Sequence, residues 1–564
     1  LIGWQLLFVA PRQQQLLEEE RAKQEELAKQ KTPTELGQSQ PPGEQMQGTP
    51  APIEGGLLSP EILQRQLNED AQKIVIETPL LHVILTTQGA RILEWKVKAH
   101  KDVHRESVDL VSEDSLRLAR LPLEIFTGKT SLDEELNQGI YASSVKTITL
   151  QSGMEPATVR LYYERLQFTK ELIFYPDSYK VDITMTFSDP SQVGKALSIV
   201  WGPGIGANLE GINRFEPGIV SKTGEKKLIR EAAKKIDGLI TWTNTSWAAM
   251  NRKYFTAAMF SGDINNTLFV NKIPFQPQKA EEQKEKIEPM RQLLMGLSQP
   301  LISGKCQVSL YAGPKERAKL AEAYPGFERL IDYGFFWFIA EPLAVFMTFL
   351  YGYVKNYGIV IICLTILIKI LFYPLTYKSF HSMKRMQDLQ PKMNAIREKY
   401  KNDKQQQQQE TMKLYKQEGV NPMGGCLPMV LQIPVFFALY QTLSQSIELR
   451  GASFLWIPDL SATETLFFKP LVLMMGASMF LQQSMTPTTG DPKQAQMFKF
   501  MPILFTAMFW NFPSGLVLYW FMNNILTIGQ QYLINKSHKK PSKTKESEDA
   551  QTTSSLRKRR KKGK

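Results

Sequence analysis

Cysteine is scarce. Only Cys306, Cys363 and Cys426 occur in 564 residues, widely spaced and two of them in or beside apolar runs, which excludes a disulfide framework. The five histidines (His82, His100, His104, His381 and His538) are as thinly spread, and apart from the His100/His104 spacing none pairs with a cysteine or carboxylate as a metal ligand would, so no metal site is expected. P-loop, dinucleotide fingerprint and nucleophile elbow are all missing. No cofactor and no enzyme activity are therefore expected. Acidic residues are also missing from the five apolar runs between residues 358 and 535. A proton- or sodium-coupled transporter usually places carboxylates at the membrane midplane, so this absence weighs against that class.

Basic residues, by contrast, are in excess: 68 Lys+Arg against 55 Asp+Glu give a formal charge of +13 and a pI near 9.3. The excess collects in the segment Lys378 to Lys416 and in a tail from Lys536 to Lys564. Both flank apolar runs, a placement that suits anionic lipids or the ribosome rather than DNA.

The chain reads as several kinds of material in series. Residues 1–10 are apolar but rise only about 15 Å as a helix, too short for a hydrocarbon core of about 30 Å, and are expected to be the remnant of an N-terminal span. Residues 11–60, rich in Gln, Glu, Lys, Pro and Gly without a periodic apolar face, read as a disordered linker. Period-two runs follow in 61–325, among them Lys73–Glu77, Val159–Tyr163, Tyr179–Phe187 and Cys306–Tyr311, broken at Asp189-Pro190, Gly202-Pro203 and Pro300. They predict a large antiparallel β-sandwich.

Segment 326–357 carries aromatics at both ends of its apolar run, with Glu341 and Pro342 inside. It either spans or lies in the headgroup layer, and the short link Lys355 to Gly358 favours the interfacial placement. Segment 358–535 then holds five apolar runs near spanning length, at about 358–377, 425–447, 466–484, 496–512 and 514–534. Ten Lys and Arg between Lys378 and Lys416 put the first loop in the cytoplasm by the positive-inside rule, and the basic tail 536–564 with it. The sandwich is then periplasmic. Within 378–418, Met383, Met386, Leu389, Met393 and Ile396 recur at helical spacing, which predicts a helical hairpin, with Gln405 to Gln409 expected as a hydrated turn or helix end. The fold class is thus a multi-domain membrane protein, an all-α core of five spans plus a truncated first one, carrying a β-sandwich.

Lys369 lies well inside the run Ile359 to Phe372, where a lysine costs about 2.5–3.5 kcal/mol on insertion scales. Thr365, Lys369, Tyr373 and Thr376 share one face of that helix. Gln432 and Tyr440 on the second run, and Tyr519, Asn523, Thr527 and Gln530 on the last, supply matching polar faces. Such stripes predict one wet cavity, in which an ammonium without a carboxylate is hydrated. Snorkelling of Lys369 to the interface is the plainer alternative.

Five segments, Tyr373–Thr376, Asn421–Pro428, Gln432–Tyr440, Leu455–Ser461 and Phe512–Tyr519, resemble the signature of the YidC/Oxa/Alb insertase family, over about Phe335 to Ile534. The N-terminal part resembles the periplasmic domain of its Gram-negative members. The resemblance implies a membrane insertase and chaperone of the bacterial inner membrane, with a hydrophilic groove open to cytoplasm and lipid. Nascent membrane proteins would be its substrates, and the Sec translocon and ribosome its partners. Lys369 stands where many members have Arg, and Thr365, Gln432, Tyr440, Tyr519, Trp520 and Asn523 are the expected groove residues. An ammonium is one point charge without the guanidinium fork, so bidentate capture of a carboxylate is not expected here. A solute transporter and a membrane-anchored carbohydrate-binding protein are the alternatives.

Overall fold

The computed structural model describes residues 68–538 apart from 69, 103–104, 119, 207–217, 224–226, 263–264, 274–291, 421–426 and 486–491. The apolar N-terminal stretch, the linker, most of the Asn421–Pro428 motif and the basic tail past His538 lie outside the described residues.

The period-two runs form strands because alternate side chains have a core to enter. In Lys73–Glu77 the buried members are Ile74 and Ile76. Phe168–Phe174 pairs antiparallel with Lys180–Phe187, placing Phe168 opposite Phe187, and Lys180–Phe187 pairs on its other edge with Lys305–Pro314. These strands are the centre of a nine-stranded sheet. Two five-stranded sheets complete the β domain, one around Leu81–Thr86 and Arg91–Lys101, the other around Ala196–Trp201 and Leu293–Pro300. All the pairings named here are antiparallel, and the parallel exception is Lys73–Glu77 with Thr147–Thr149. One core joins the three sheets: Trp95 meets Trp201 edge-on at 6.2 Å and Phe174 at 6.4 Å, and its indole N–H donates to the Ala312 carbonyl at 2.8 Å.

A titratable group sits in this core. Lys170, fully buried, donates from Nζ to the carbonyls of Ala90 (2.9 Å) and Leu123 (2.8 Å). Burial, with the neighbouring Arg91 charge adding to it, pulls its pKa down to about 7. Arg91 itself pairs with Glu124 at 3.1 Å. Ala90 and Leu123 both have positive φ (51° and 72°), so the lysine braces two backbone corners that non-glycine residues adopt at a cost.

Among the described residues eight α-helices follow: α1 Trp337–Val354, α2 Tyr357–Asp388, α3 Gln390–Lys399, α4 Lys404–Gln417, α5 Leu427–Gln445, α6 Pro470–Met485, α7 Pro492–Phe509 and α8 Ser514–His538. Among the described residues, α1 and α2 are long and apolar enough to cross a membrane by length and composition. Side-chain contacts give the directions of the others. Ile361 of α2 and Tyr440 of α5 lie beside Gly515 and Phe512 at the head of α8, whereas Lys369 and Gln432 reach Thr527 and Asn523 further along it. Ser478 and Met485 of α6 bond to Asn524 and Gln531 in the same order. So α2, α6 and α8 run one way and α5 the other; α7 opposes α6, because its last turn adjoins Lys469 while Thr506 packs on Gly476.

The β domain attaches where α2 and α8 begin. Arg450, in the α5–α6 connection, donates to the Lys101 carbonyl, and Tyr254 hydrogen-bonds Ser461. Helix α1 lies at this end too: Thr442 near the end of α5 donates to the Ala340 carbonyl at 3.0 Å, and Tyr351 stacks on Tyr357 at 4.0 Å. At the opposite end, α3 and α4 form a hairpin with an apolar seam of Met386, Leu389, Met393, Leu414 and Tyr415. The glutamine run is not its turn. Gln405 to Gln409 are helical, and the reversal falls at Tyr400–Asp403, because Asp403 caps α4 by accepting from the Gln406 N–H at 2.9 Å while glutamine is a fair helix former.

Candidate functional site

The apolar helices are interrupted by one chain of polar side chains. Lys369 of α2 donates from Nζ to the Thr527 hydroxyl of α8 at 2.7 Å, and that hydroxyl donates in turn to the Asn523 carbonyl at 2.6 Å. Asn523 Oδ1 accepts from Gln432 Nε2 of α5 at 2.9 Å. Tyr519, one turn earlier on α8 and fully buried, has its hydroxyl beside the same Gln432 side chain. Three helices thus contribute to one ladder, and each bond has a donor and an acceptor of the right kind. Among the described residues no carboxylate forms an ion pair with Lys369, as expected from runs without Asp or Glu. Lys369 is only partly buried and carries three protons to donate.

The structure gathers Lys369, Gln432, Tyr519 and Asn523 and leaves the other expected groove residues apart. Thr365 is 1% exposed, and its hydroxyl is spent on the Ile361 carbonyl of its own helix at 2.7 Å. Tyr440 rests near Phe512, ring centres 6.2 Å apart, at the β-domain end. Trp520 belongs to an aromatic cluster with Phe436 (4.8 Å), Phe509 (5.2 Å) and Phe505 (6.0 Å). Neighbours on a helix point about 100° apart, so with Tyr519 toward α5 and the ladder, Trp520 turns to the α5–α7 side.

Two features have weaker traces in the sequence. Thr527 lies four residues beyond Asn523, so its place on the stripe is legible, but its role as the acceptor for Lys369 depends on where α2 crosses α8. Asn524 and Gln531, seven apart, make a second polar face on α8 that holds α6 through Ser478 Oγ (3.0 Å) and the Met485 carbonyl (2.8 Å). That spacing was the available signal.

Comparison with known proteins gives matches along most of the chain. Residues 349–543 match the family described as 60Kd inner membrane protein, and residues 73–346 match the YidC periplasmic domain. A protein of Syntrophus aciditrophicus named membrane protein insertase YidC is 39% identical over 504 residues, covering 86% of this chain and 90% of its own length. The protein of that name from Maridesulfovibrio salexigens is 33% identical and covers 96% of this chain and 97% of itself. Among solved structures, a crystal structure of an active YidC insertase with its first transmembrane domain resolved is 18% identical, covers 83% of this chain and 94% of its own, and has a TM-score of 0.36.

Proposed function

This chain belongs to the YidC family of membrane protein insertases, and from that premise we propose that insertion proceeds through a groove whose polar wall is the Lys369–Thr527–Asn523–Gln432 ladder. It is an inner-membrane protein with a β domain rich in antiparallel sheets and a helical C-terminal region. In our reading α2, α5, α6, α7 and α8 are five spans, the β domain is a periplasmic sandwich, and the hairpin and tail are cytoplasmic. The alternating directions of these helices, with the β domain at one end and the basic hairpin at the other, support that arrangement. Helix α1 is interfacial in this reading: it meets the end of α5 and the start of α2, which lie on the same side.

The observation that carries the proposal is a lysine deep in an apolar helix, bonded to one neutral hydroxyl and paired with no carboxylate among the described residues. Its remaining protons go to water or to an incoming acceptor. A short acidic tail of a nascent protein entering the groove meets this charge and no longer has to cross about 30 Å of hydrocarbon. The substrate's apolar segment then leaves sideways, where burial of roughly 20 apolar residues in lipid drives the step without nucleotide hydrolysis. No covalent chemistry is asked of the chain. The Sec translocon, meeting the β domain and adjoining helices, and the ribosome or anionic lipids, meeting the hairpin and tail, complete the proposal.

The test is insertion of a single-span protein with an acidic translocated tail into proteoliposomes. Activity retained by Lys369→Arg and lost progressively in Lys369→Ala as acidic residues are added supports a charge-bearing groove. Equal activity in all three forms would reduce Lys369 to a snorkelling residue.

A further inference from the structure

The connection between α5 and α6 folds across the end of the helices nearest the β domain, and in its second part the ordinary distribution of side chains is inverted. Residues 455–469 contain three charged groups, and each is satisfied inward. Glu464, 5% exposed, accepts from the Trp456 indole at 2.6 Å and from the Leu471 N–H at 3.0 Å at the start of α6. Asp459 accepts from the Ser461 N–H at 2.7 Å, and Lys469 donates to the Trp510 carbonyl at 2.6 Å. The large apolar residues divide differently. Ile457 and Leu460 enter the helical core, while Leu455 (74% exposed), Phe467 (96%) and Phe468 (58%) point away from it, with Trp456 and Leu466 partly so.

The outward set is not an overflow from a crowded interior. Leu455 sits at φ 52°, a left-handed conformation unfavourable for a residue with a Cβ, at the tip of a turn closed by the Phe454–Ile457 bridge. The same residue is both strained in its backbone and turned out. In water the reverse arrangement is favoured, with charge outside and rings inside. Aromatic and leucine side chains facing out over charged groups that are hydrogen-bonded within the protein match the boundary between headgroups and acyl chains. The patch also runs on into the exposed apolar side of α6, Leu473, Phe480 and Leu481, so it extends the lipid-facing surface of the helices beyond the helix end.

We propose that Leu455–Phe468 is a lipid-contact element that inserts Leu455, Phe467 and Phe468 into the bilayer leaflet on the β-domain side. The proposal rests on the reading of α6 as a membrane span and is independent of whether Lys369 serves a groove. As an anchor between two spans, the element holds the β-domain end of the bundle at a fixed depth.

The experiment uses the full chain with its three cysteines replaced by serine and one new cysteine, Phe467→Cys, carrying an environment-sensitive fluorophore, in phosphatidylcholine/phosphatidylglycerol vesicles. Ile302→Cys is the reference, exposed on the turn preceding strand Lys305–Pro314, whose ten residues span about 33 Å. Emission at 467 is expected to shift to the blue, to be quenched by lipid bearing a shallow nitroxide, and to resist aqueous iodide several-fold better than emission at 302. Phe468→Cys should behave alike, which guards against a local defect at 467. Iodide quenching at 467 and 468 equal to that at 302 would overturn the proposal, as would protection that arises only when another membrane protein is added. Insertion measured in the same vesicles separates the two readings: a label in lipid with inactive protein leaves the contact standing and removes the groove, and the opposite pair of results does the converse.

Discussion

Lys170→Met in the β domain tests whether the buried ammonium is a burden or a brace, and the answer depends on pH. An unfolded lysine titrates near 10.5 and the folded one near 7. Between those values the unfolded chain binds the extra proton, so this group's contribution to stability rises with pH. At about 1.4 kcal/mol per pH unit, burying it costs on the order of 5 kcal/mol below pH 7 and almost nothing above 10.5. Methionine removes that cost, but it also leaves the Ala90 and Leu123 carbonyls without their donor, at about 1–3 kcal/mol each. The two effects nearly cancel at pH 6.5. At pH 9.5 the loss of the donor wins, and the variant should be less stable by about 1–4 kcal/mol. The change in the difference between these pH values is about 3 kcal/mol, and other titrating groups drop out of it because both proteins share them. Urea unfolding of the full chain in micelles, followed by the fluorescence of the core tryptophans Trp95, Trp201 and Trp247, measures it. A difference that stays flat within about 1 kcal/mol from pH 6.5 to 9.5, or that runs the other way, refutes the reasoning.

Two further pairs of substitutions probe how the α5–α6 connection closes the helices. A Cβ on Gly358 would meet the Phe454 ring at 2.1 Å, so Gly358→Ala should lower stability in thermal unfolding by about 1–3 kcal/mol, and Phe454→Ala in the same chain should recover most of that loss; additive effects would deny the contact. Glu464→Ala removes the acceptor for both the Trp456 indole and the first turn of α6 and should cost about 1–3 kcal/mol, while Glu464→Gln, which keeps an acceptor but not the charge, should cost less; equal losses would place the whole effect on the charge and deny the contribution of the hydrogen bonds.

Legibility in the sequence followed the range of the interaction. Strands such as Lys73–Glu77 and Lys180–Phe187 were readable because one buried face imposes a period of two on neighbouring residues, and the apolar runs because solvation by lipid acts on each residue separately. Strand neighbours were not: Lys180–Phe187 pairs with Lys305–Pro314 across more than a hundred residues, and nothing local encodes that choice. The polar stripe of α8 was visible, but which of its members receives Lys369 depends on the crossing of two helices. Trp520 adjoins Tyr519 in sequence and so shared its expected role until the helix turned the two apart. Lys170 stands in phase with Phe168, Leu172 and Phe174, so a period of two puts it on the buried face, but what receives its ammonium, the carbonyls at the Ala90 and Leu123 corners, is made elsewhere in the chain.

Helix α1 is tied at both ends. Arg317 of the β domain pairs with Glu341 at 2.8 Å and Thr442 of α5 holds Ala340, while beyond Val354 only Lys355 and Asn356 separate α1 from α2. A helix of 18 residues is a rod of about 27 Å that does not stretch, and a two-residue joint gives it no slack. Mechanically it is a tie-bar that fixes the spacing of α2 and α5 at the β-domain end, the place where a lever has its pivot.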